Sequence, residues 1–229
     1  MLSAFGLGVL AQSSLLAAGL LVCWVTVPRR VVGVLVGFGA GALLAAISFD
    51  LVIEAEELDF WELGLWMLVG VAVFLIGDRV VERRYGSSGE GGAMGIVVGS
   101  VVDGVPESII FGIQLSTGLP VSASFFAAVL VSNVPQAIAP SAELVADGWG
   151  PRRLGRLWLL VVLACGVAAA CGYAAGDLGG SSGARWAAFA AGGLLGMLTN
   201  SLMPFAYEHG RELAGVGTVV GFCLSLLTS

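Results

Sequence analysis

Two short polar motifs interrupt apolar stretches in the middle of the chain. DGVPESI (103–109) and SNVPQAI (132–138) share the frame x-x-Val-Pro-x-x-Ile. Inside a helix, Pro106 and Pro135 would each remove one backbone hydrogen bond and free a carbonyl in the preceding turn. In lipid, a freed carbonyl is tolerated only where protein or a wet cavity satisfies it. The motifs therefore predict two proline-kinked helices around a polar pocket.

Polar side chains four residues apart in each motif would project from one helical face. Asp103 and Glu107 supply two carboxyls on the first helix. Ser132 and Gln136 supply a hydroxyl and an amide on the second, and Asn133 lies one residue around. If the two helices pack together, Asp103, Glu107, Ser132 and Gln136 meet in one pocket, and Asn133 with the backbone of Gly104 forms a second patch beside it. Oxygen atoms of this kind are the ligands that hard divalent cations take in proteins. We therefore predict a metal site at Asp103, Glu107, Ser132, Asn133 and Gln136.

The cost of burying charge favours a cation at this site. An ionisable group at the centre of a bilayer costs about 2.5–3.5 kcal/mol on insertion scales, and two neighbouring carboxyls also repel each other. The apolar stretches that hold the motifs contain no Arg, Lys or His. The carboxyls must be neutralised by protons, by a cation or by a partner on another helix, and a purely structural pair of protonated carboxyls remains the alternative.

The composition indicates an integral membrane protein surrounded by lipid. Of the 229 residues, 58% are hydrophobic and only 11% are charged, against about a quarter charged in soluble domains. The mean hydropathy is +0.97. The net charge is −6, and Lys is absent, so the sequence offers no basic patch for nucleic acid. We predict a single transmembrane domain over residues 1–229, in a bacterial or archaeal cytoplasmic membrane.

Eight apolar stretches approach the length of about 20 residues that a helix needs to cross the hydrocarbon core. We predict an all-α polytopic membrane protein whose spans are Ala4–Val27, Val31–Glu54, Trp61–Val80, Met94–Ser116, Val121–Ala146, Leu154–Ala175, Arg185–Phe205 and Gly210–Thr228.

The distribution of arginine predicts the orientation of these spans. With eight spans, nine of the ten arginines fall on one side, and only Arg185 falls opposite, beside the acidic loop from Glu54 to Glu62. Cytoplasmic loops carry an excess of positive residues. We therefore predict that both termini lie outside.

A second internal resemblance links span two to span seven. AGALLAAISFDLVIEA (40–55) aligns without gaps on AGGLLGMLTNSLMPFA (191–206). Because these spans would run in opposite directions, the alignment predicts a 3+2+3 arrangement with an inverted repeat, in which spans one to three mirror spans six to eight. Inverted repeats around broken helices are typical of secondary transporters. A chance match between runs of Ala, Gly and Leu is the alternative.

Three further carboxylates are candidates for the entrance or the exit of a pathway. Asp50 and Glu54 lie one turn apart at the outer end of span two, where they could attract cations together with the acidic loop. Glu143 lies three turns beyond Ser132 on span five, where it could line an inside exit or simply end the helix. The only histidine, His209, is expected in a loop on the inside.

The two proline motifs resemble those of the ZIP family of divalent-metal transporters. That family carries a motif like H-N-x-P-E-G on its fourth helix and a related motif on its fifth. GFGAGALLAAISFDLVIEA is similar to its second helix, and EHGRELAGVGTVVGFCLSLL resembles its last helix. The resemblance covers most of the chain and implies eight helices, outside termini and a homodimer.

The ligand positions depart from the family pattern. The resemblance matches the family's histidine on helix four with Asp103, its asparagine with Gly104 and its bridging glutamate with Glu107. On helix five, Ser132 and Asn133 fill ligand positions and Gln136 replaces a glutamate or a histidine. Leu43 matches a residue of helix two that can touch metal. The glutamate found on helix six in many members has no counterpart. The resemblance therefore implies an oxygen-only site, which suits Mn²⁺, Fe²⁺, Mg²⁺ or Ca²⁺ better than a zinc-selective centre.

We therefore expect a transporter of divalent cations such as zinc, iron or manganese, with the metal as substrate and with no permanently bound cofactor. An enzyme is not expected, because the glycine-flanked aspartates of intramembrane aspartyl proteases and a membrane histidine for a serine protease are missing. The alternative is a ZIP-like protein that has lost metal transport and acts as a sensor or scaffold, or that carries another solute.

Overall fold

The computed structural model describes residues 1–85, 92–118, 121–179 and 183–227. These residues form eight helices, and no strand occurs among them. The helices are α1 (Leu2–Leu21), α2 (Arg29–Glu54), α3 (Phe60–Tyr85), α4 (Gly92–Thr117), α5 (Ala123–Ala146), α6 (Pro151–Gly179), α7 (Gly183–Gly210) and α8 (Glu212–Leu226). The predictions of an all-helical chain and of eight helices are confirmed.

Six of these helices are long and apolar enough to cross a membrane, namely α1, α2, α3, α5, α6 and α7. The helix α8 is apolar but shorter. Their outward faces are apolar as well. On α3, for example, Leu65, Leu68 and Ile76 are each about 60% exposed. Large exposed apolar faces of this kind mark contact with lipid or with a partner. The chain is thus an all-helical protein with several membrane-length helices.

The observed helix ends correct two predicted boundaries. Span one was predicted to reach Val27, but α1 ends at Leu21 and a turn follows. Gly210 was predicted to open span eight, but it is the last residue of α7. The break falls at Arg211, whose φ of 52° lies in the left-handed region. His209 is consequently a helical residue and not part of a loop, because the helix continues through the polar residues that suggested a loop.

The two aligned segments contain the same backbone irregularity. In α2 the residues Ile47–Leu51 form a π-helical turn, and in α7 the residues Leu198–Leu202 do so. In the gapless alignment of 40–55 with 191–206, these two turns coincide residue for residue. A π-helical turn is rare and often marks a functional position. The same feature at the same place in both segments argues against a chance match of apolar residues.

Glycine contacts between helices repeat in the same register. A Cβ on Gly41 of α2 would collide with the carbonyl of Thr218 on α8. A Cβ on Gly192 of α7, its aligned partner, would collide with the carbonyl of Met67 on α3. The offset that relates Gly41 to Gly192 also relates Met67 to Thr218. The pair α2–α8 and the pair α7–α3 are thus packed in the same way.

A second pair of glycines makes equivalent contacts with carbonyls of neighbouring helices. Gly70 of α3 lies against the carbonyl of Phe189, and Gly221 of α8 lies against the carbonyl of Phe38. The offset that relates Gly41 to Gly192 also relates Gly70 to Gly221, and it relates Phe38 to Phe189. The common offset therefore also relates contacts of α3 and α8, which lie beyond the segments that the sequence aligned.

Alanine at either close contact should destabilise the bundle. For Gly41→Ala and Gly192→Ala we expect a loss of roughly 1–3 kcal/mol in unfolding free energy, as is typical of overpacking. Gly64→Ala and Gly215→Ala are matched controls, because nothing lies within 4 Å of their Cβ positions. They should be neutral or slightly stabilising, since Ala is the better helix former. Thermal unfolding in detergent measures all four, and equal melting temperatures would contradict the packing.

The central helices are brought together by α1. It packs against α6 most extensively, and also against α5 and α4. Its buried face consists mainly of small residues, but it includes Gln12, which is 0% exposed. A fully buried glutamine in the middle of an apolar helix needs partners in the neighbouring helices.

Candidate functional site

The carboxyl of Glu107 is completely buried where α1 crosses α4. Its side chain is 0% exposed, one residue after Pro106. Gln12 of α1 donates from Nε2 to the Oε2 atom of Glu107 at 3.0 Å. The same nitrogen approaches the carbonyl of Gly104 at 3.4 Å, and that carbonyl also accepts from Ser108 Oγ at 2.8 Å. Glu107 therefore faces the protein interior, and its role as a metal ligand stays a prediction.

Asn133 of α5 joins the same network from the other side. It is 0% exposed, and its Nδ2 donates to Gln12 Oε1 at 2.9 Å and to the carbonyl of Ala11 at 3.3 Å. The two donated bonds fix the orientation of both amides, because Gln12 must accept from Asn133 and donate to Glu107. The hydrogen bonds thus run in one direction, from α5 through α1 to α4.

This arrangement leaves one acceptor unsatisfied. The Oδ1 atom of Asn133 is buried and has no hydrogen-bond partner among the described residues. A buried acceptor of this kind costs about 1–3 kcal/mol unless it meets water, an ion or a ligand. The site therefore holds an amide oxygen that lacks a donor, on a residue that Gln12 links to the buried Glu107 carboxyl.

Gly104 makes room for the glutamine. A Cβ at position 104 would lie 3.3 Å from Gln12 Oε1 and 3.1 Å from Cys165 Sγ. Both distances are shorter than an ordinary van der Waals contact, so any larger side chain here would press on the amide from α1. Gln12 can therefore occupy this position only because residue 104 has no side chain.

The other predicted ligands lie on the same helix as Asn133 or on α4. Ser132 is 1% exposed, and its hydroxyl donates to the carbonyl of Val129 at 3.0 Å, which leaves its lone pairs as acceptors. Gln136 is half-buried one turn later. Pro140 lies one further turn along α5, where it cannot donate to the carbonyl of Gln136. The backbone of Asp103 belongs to α4, but its side chain lies outside the described residues.

The sequence interpretation missed Gln12. It took Glu107 and Asn133 as members of two adjacent helices, whereas the hydrogen bonds that join them pass through a third helix. The available signal was a glutamine in the middle of the first apolar span, in LGVLAQSSLLAAG (7–19). Such a residue is costly in lipid and usually faces a protein partner.

Asp50 and Glu54 form a separate polar group at one end of the bundle, which also holds the loop from Glu54 to Glu62. We call it the acidic end. Asp50 lies in the π-helical turn of α2, where its Oδ2 accepts from Ser122 Oγ at 2.7 Å and from Ser124 Oγ at 2.5 Å. Ser122 also caps α5 by accepting from the backbone of Phe125. The carboxylate therefore fastens α2 to the beginning of α5.

Glu143 lies at the opposite end, which we call the arginine end because Arg29 lies there. The two side chains form an ion pair at 3.5 Å. They line a cavity of about 170 Å³ together with His209, whose ring stacks on Phe205 at 4.2 Å between centroids. Glu143 is thus near the end of α5 and also borders a cavity, and its role at an exit stays a prediction. His209 shares this cavity, which the sequence interpretation did not foresee.

The described residues include no group of three or more His, Cys, Asp or Glu side chains arranged to hold a metal ion. A cation held at Glu107 would therefore depend on amide, hydroxyl and backbone oxygens. That is the donor set of hard cations, which take six or more oxygen ligands, often including water.

No known protein family and no curated protein matches the chain. The function has to be argued from the residues of the site.

Proposed function

We propose that the protein carries divalent cations across the membrane and binds them transiently at Glu107. The observation that carries this proposal is the buried Oδ1 atom of Asn133, which has no hydrogen-bond partner among the described residues. A cation that bound at the Glu107 carboxylate and reached this oxygen would give the oxygen its partner. Ser132, Gln136 and Asp103 are the further ligands we propose, with metal as the transported substrate.

We also propose the finer membrane arrangement. All eight helices cross the membrane in a 3+2+3 order, with both termini outside and the arginine end inside. The distribution of arginines supports this orientation. The matched π-helical turns and glycine contacts support a repeat that relates α1–α3 to α6–α8. A homodimer in a bacterial or archaeal cytoplasmic membrane is part of the same proposal.

The relation to the ZIP family is a proposal that the geometry around Gly104 supports. The family motif has an asparagine at the position of Gly104. In this chain the carboxamide of Gln12, from a different helix, lies against that glycine and donates to Glu107. An amide is therefore kept next to the glutamate although the motif residue is lost. We infer that the chain is a divergent member whose first helix supplies the missing group.

Metal-dependent stabilisation of the purified protein tests the binding step. A ligand that binds the native state at 100 times its Kd adds about 2.7 kcal/mol of stability. We expect Mn²⁺ to raise the melting temperature of the parent by several degrees. In Asn133→Leu this shift should disappear, because the variant removes the unsatisfied oxygen.

Asn200→Leu is a matched control for the same change of residue type. Asn200 lies in the π-helical turn of α7 and is exposed, so its variant should keep the full metal shift. A parent that shows no shift with Mn²⁺, Fe²⁺, Zn²⁺, Mg²⁺ or Ca²⁺ would contradict cation binding.

The second candidate is a ZIP-like protein that has lost metal transport and acts as a sensor or scaffold, or that carries another solute. It is favoured by the lack of a group of three metal-ligating side chains among the described residues. The thermal measurement separates the two candidates, because only the transporter requires a metal shift that depends on Asn133.

A further inference from the structure

A second set of unsatisfied polar atoms lies at the acidic end, away from Gln12 and Glu107. A small cavity of about 10 Å³ lies between α2, α4 and α7. Glu54, Gln114 and Trp186 contribute the polar side chains of its wall, and the rest of the wall is glycine and aliphatic side chains. A cavity of about 10–15 Å³ holds one water molecule. The space is therefore sufficient for a single small ligand.

Each of the three polar side chains brings one buried atom that lacks a hydrogen bond among the described residues. These atoms are Glu54 Oε2, Gln114 Oε1 and Trp186 Nε1. The amide of Gln114 is 2% exposed, and its Nε2 faces Glu54 Oε1 at 3.5 Å, whereas the opposite orientation would place two oxygens against each other. Three unsatisfied atoms around one cavity indicate a shared ligand, since each alone would cost about 1–3 kcal/mol.

The chemistry of the three atoms identifies the class of ligand. A carboxylate oxygen and an amide oxygen only accept hydrogen bonds, whereas an indole N–H only donates. A metal ion or a hydronium ion would be repelled by the indole N–H, and an anion would be repelled by the two oxygens. Water can donate to both oxygens and accept from the nitrogen, and buried waters typically make about three hydrogen bonds.

We propose that one ordered water molecule binds between Glu54, Gln114 and Trp186 and closes the acidic end of the bundle. The water joins α2 to α7, which carry the two π-helical turns, and joins both to α4, which carries Glu107. Gln114 follows Glu107 by two helical turns, or about 10 Å along the axis. The water site therefore lies nearer the acidic end than Glu107 does, on the same helix.

A closure built on water can open at low cost. The three side chains exchange their shared water for bulk water when the helices separate, and a bridging water is held at a cost of only about 0–2 kcal/mol of entropy. The cavity beside Glu143 at the opposite end is larger, at about 170 Å³. The inference about the acidic end does not depend on which solute, if any, is carried.

A high-resolution structure of the full chain tests the ligand directly. Crystals grown with Rb⁺ and with Mn²⁺ should show a peak within hydrogen-bond distance of all three atoms and no anomalous signal from it. An anomalous peak in this cavity would overturn the proposal in favour of a cation, and an empty cavity would overturn it altogether.

A labelling experiment tests the closure. Ala187→Cys places a thiol in the cavity wall, where Ala187 is 5% exposed. We expect Trp186→Phe, which removes the N–H but keeps an aromatic ring, to raise the rate of labelling at position 187 by a water-soluble thiol reagent at least tenfold. Peptide mass spectrometry must read the site, because Cys171 and Cys223 are exposed and also react.

Trp66→Phe is the matched control. Trp66 packs against the same small cluster of Ala55, Ala187 and Ala188 but does not line the cavity. It should leave the labelling rate unchanged, so that an effect of the Trp186 variant reports the lost N–H and not a smaller ring nearby. Equal rates in the parent and in Trp186→Phe would overturn the role of the water in closing this end.

Discussion

Glu107→Gln should reduce the initial rate of Mn²⁺ uptake into proteoliposomes at least tenfold. The substitution keeps the shape of the side chain and an oxygen that can accept from Gln12, but it removes the charge. Two unit charges 4 Å apart attract by about 4 kcal/mol at an effective dielectric constant of 20. Losing a third of this attraction already corresponds to about a tenfold change in affinity.

The variant should fold as well as the parent, because a buried charge is replaced by a neutral amide. Glu62→Gln is the matched control, since Glu62 is also a glutamate but lies at the acidic end in an ion pair with Arg185 at 2.7 Å. It should retain most of the uptake. Unchanged uptake in Glu107→Gln would refute the assignment of Glu107 as the cation-binding residue, whatever the control shows.

Gln12→Leu should impair both stability and uptake. The change removes the donor to Glu107 and the acceptor for Asn133 while keeping the side chain large and apolar. Each group left without its partner costs about 1–3 kcal/mol, and more when it is charged. We expect the melting temperature to fall by several degrees and the uptake to fall at least tenfold.

Ser13→Ala is the control that tests whether a change elsewhere in this part of α1 has the same effect as the loss of the Gln12 amide. Ser13 is the next residue on α1, and its hydroxyl bonds only to the carbonyl of Leu10 in the same helix. This control should behave like the parent. A loss in Ser13→Ala as large as that in Gln12→Leu would mean that α1 tolerates no change there and that the amide has no special role.

A rescue experiment makes the role of Gln12 more specific. In Gln12→Ala the space beside Gly104 becomes vacant, and Gly104→Asn in that background would place an amide into it from α4. We expect the double variant to regain part of the uptake that Gln12→Ala loses. Gly104→Asn alone should be harmful, because its Cβ would already lie 3.3 Å from Gln12 Oε1.

The sequence predicted the residues of the site better than it predicted their connections. Polar side chains beside prolines are costly in an apolar span, so Glu107 and Asn133 could be identified from their own helices. The bridge between them could not, because local spacing gives no information about which face of α1 meets α4 and α5. The face of α1 that meets α4 and α5 is set by long-range packing. Gln12 can lie against α4 there because Gly104 has no side chain.

The same limit explains the error at His209. Charged residues after Phe205 suggested a loop, since polarity is the usual sign that a span has ended. In the structure the polar residues extend α7 into the arginine end, and the chain turns only at Arg211. The alignment of 40–55 with 191–206 could be found in the sequence because it compares two parts of the same chain. The π-helical turns could not be predicted, because no residue type specifies them.

The matched packing of α2–α8 and α7–α3 means that each close glycine contact in one helix pair has an equivalent in the other pair. Gly41 and Gly192, with their facing carbonyls, permit the same close contact in each pair. Equal losses of stability in Gly41→Ala and Gly192→Ala would show that the bundle depends equally on the two helix pairs, and unequal losses would show which pair it depends on more.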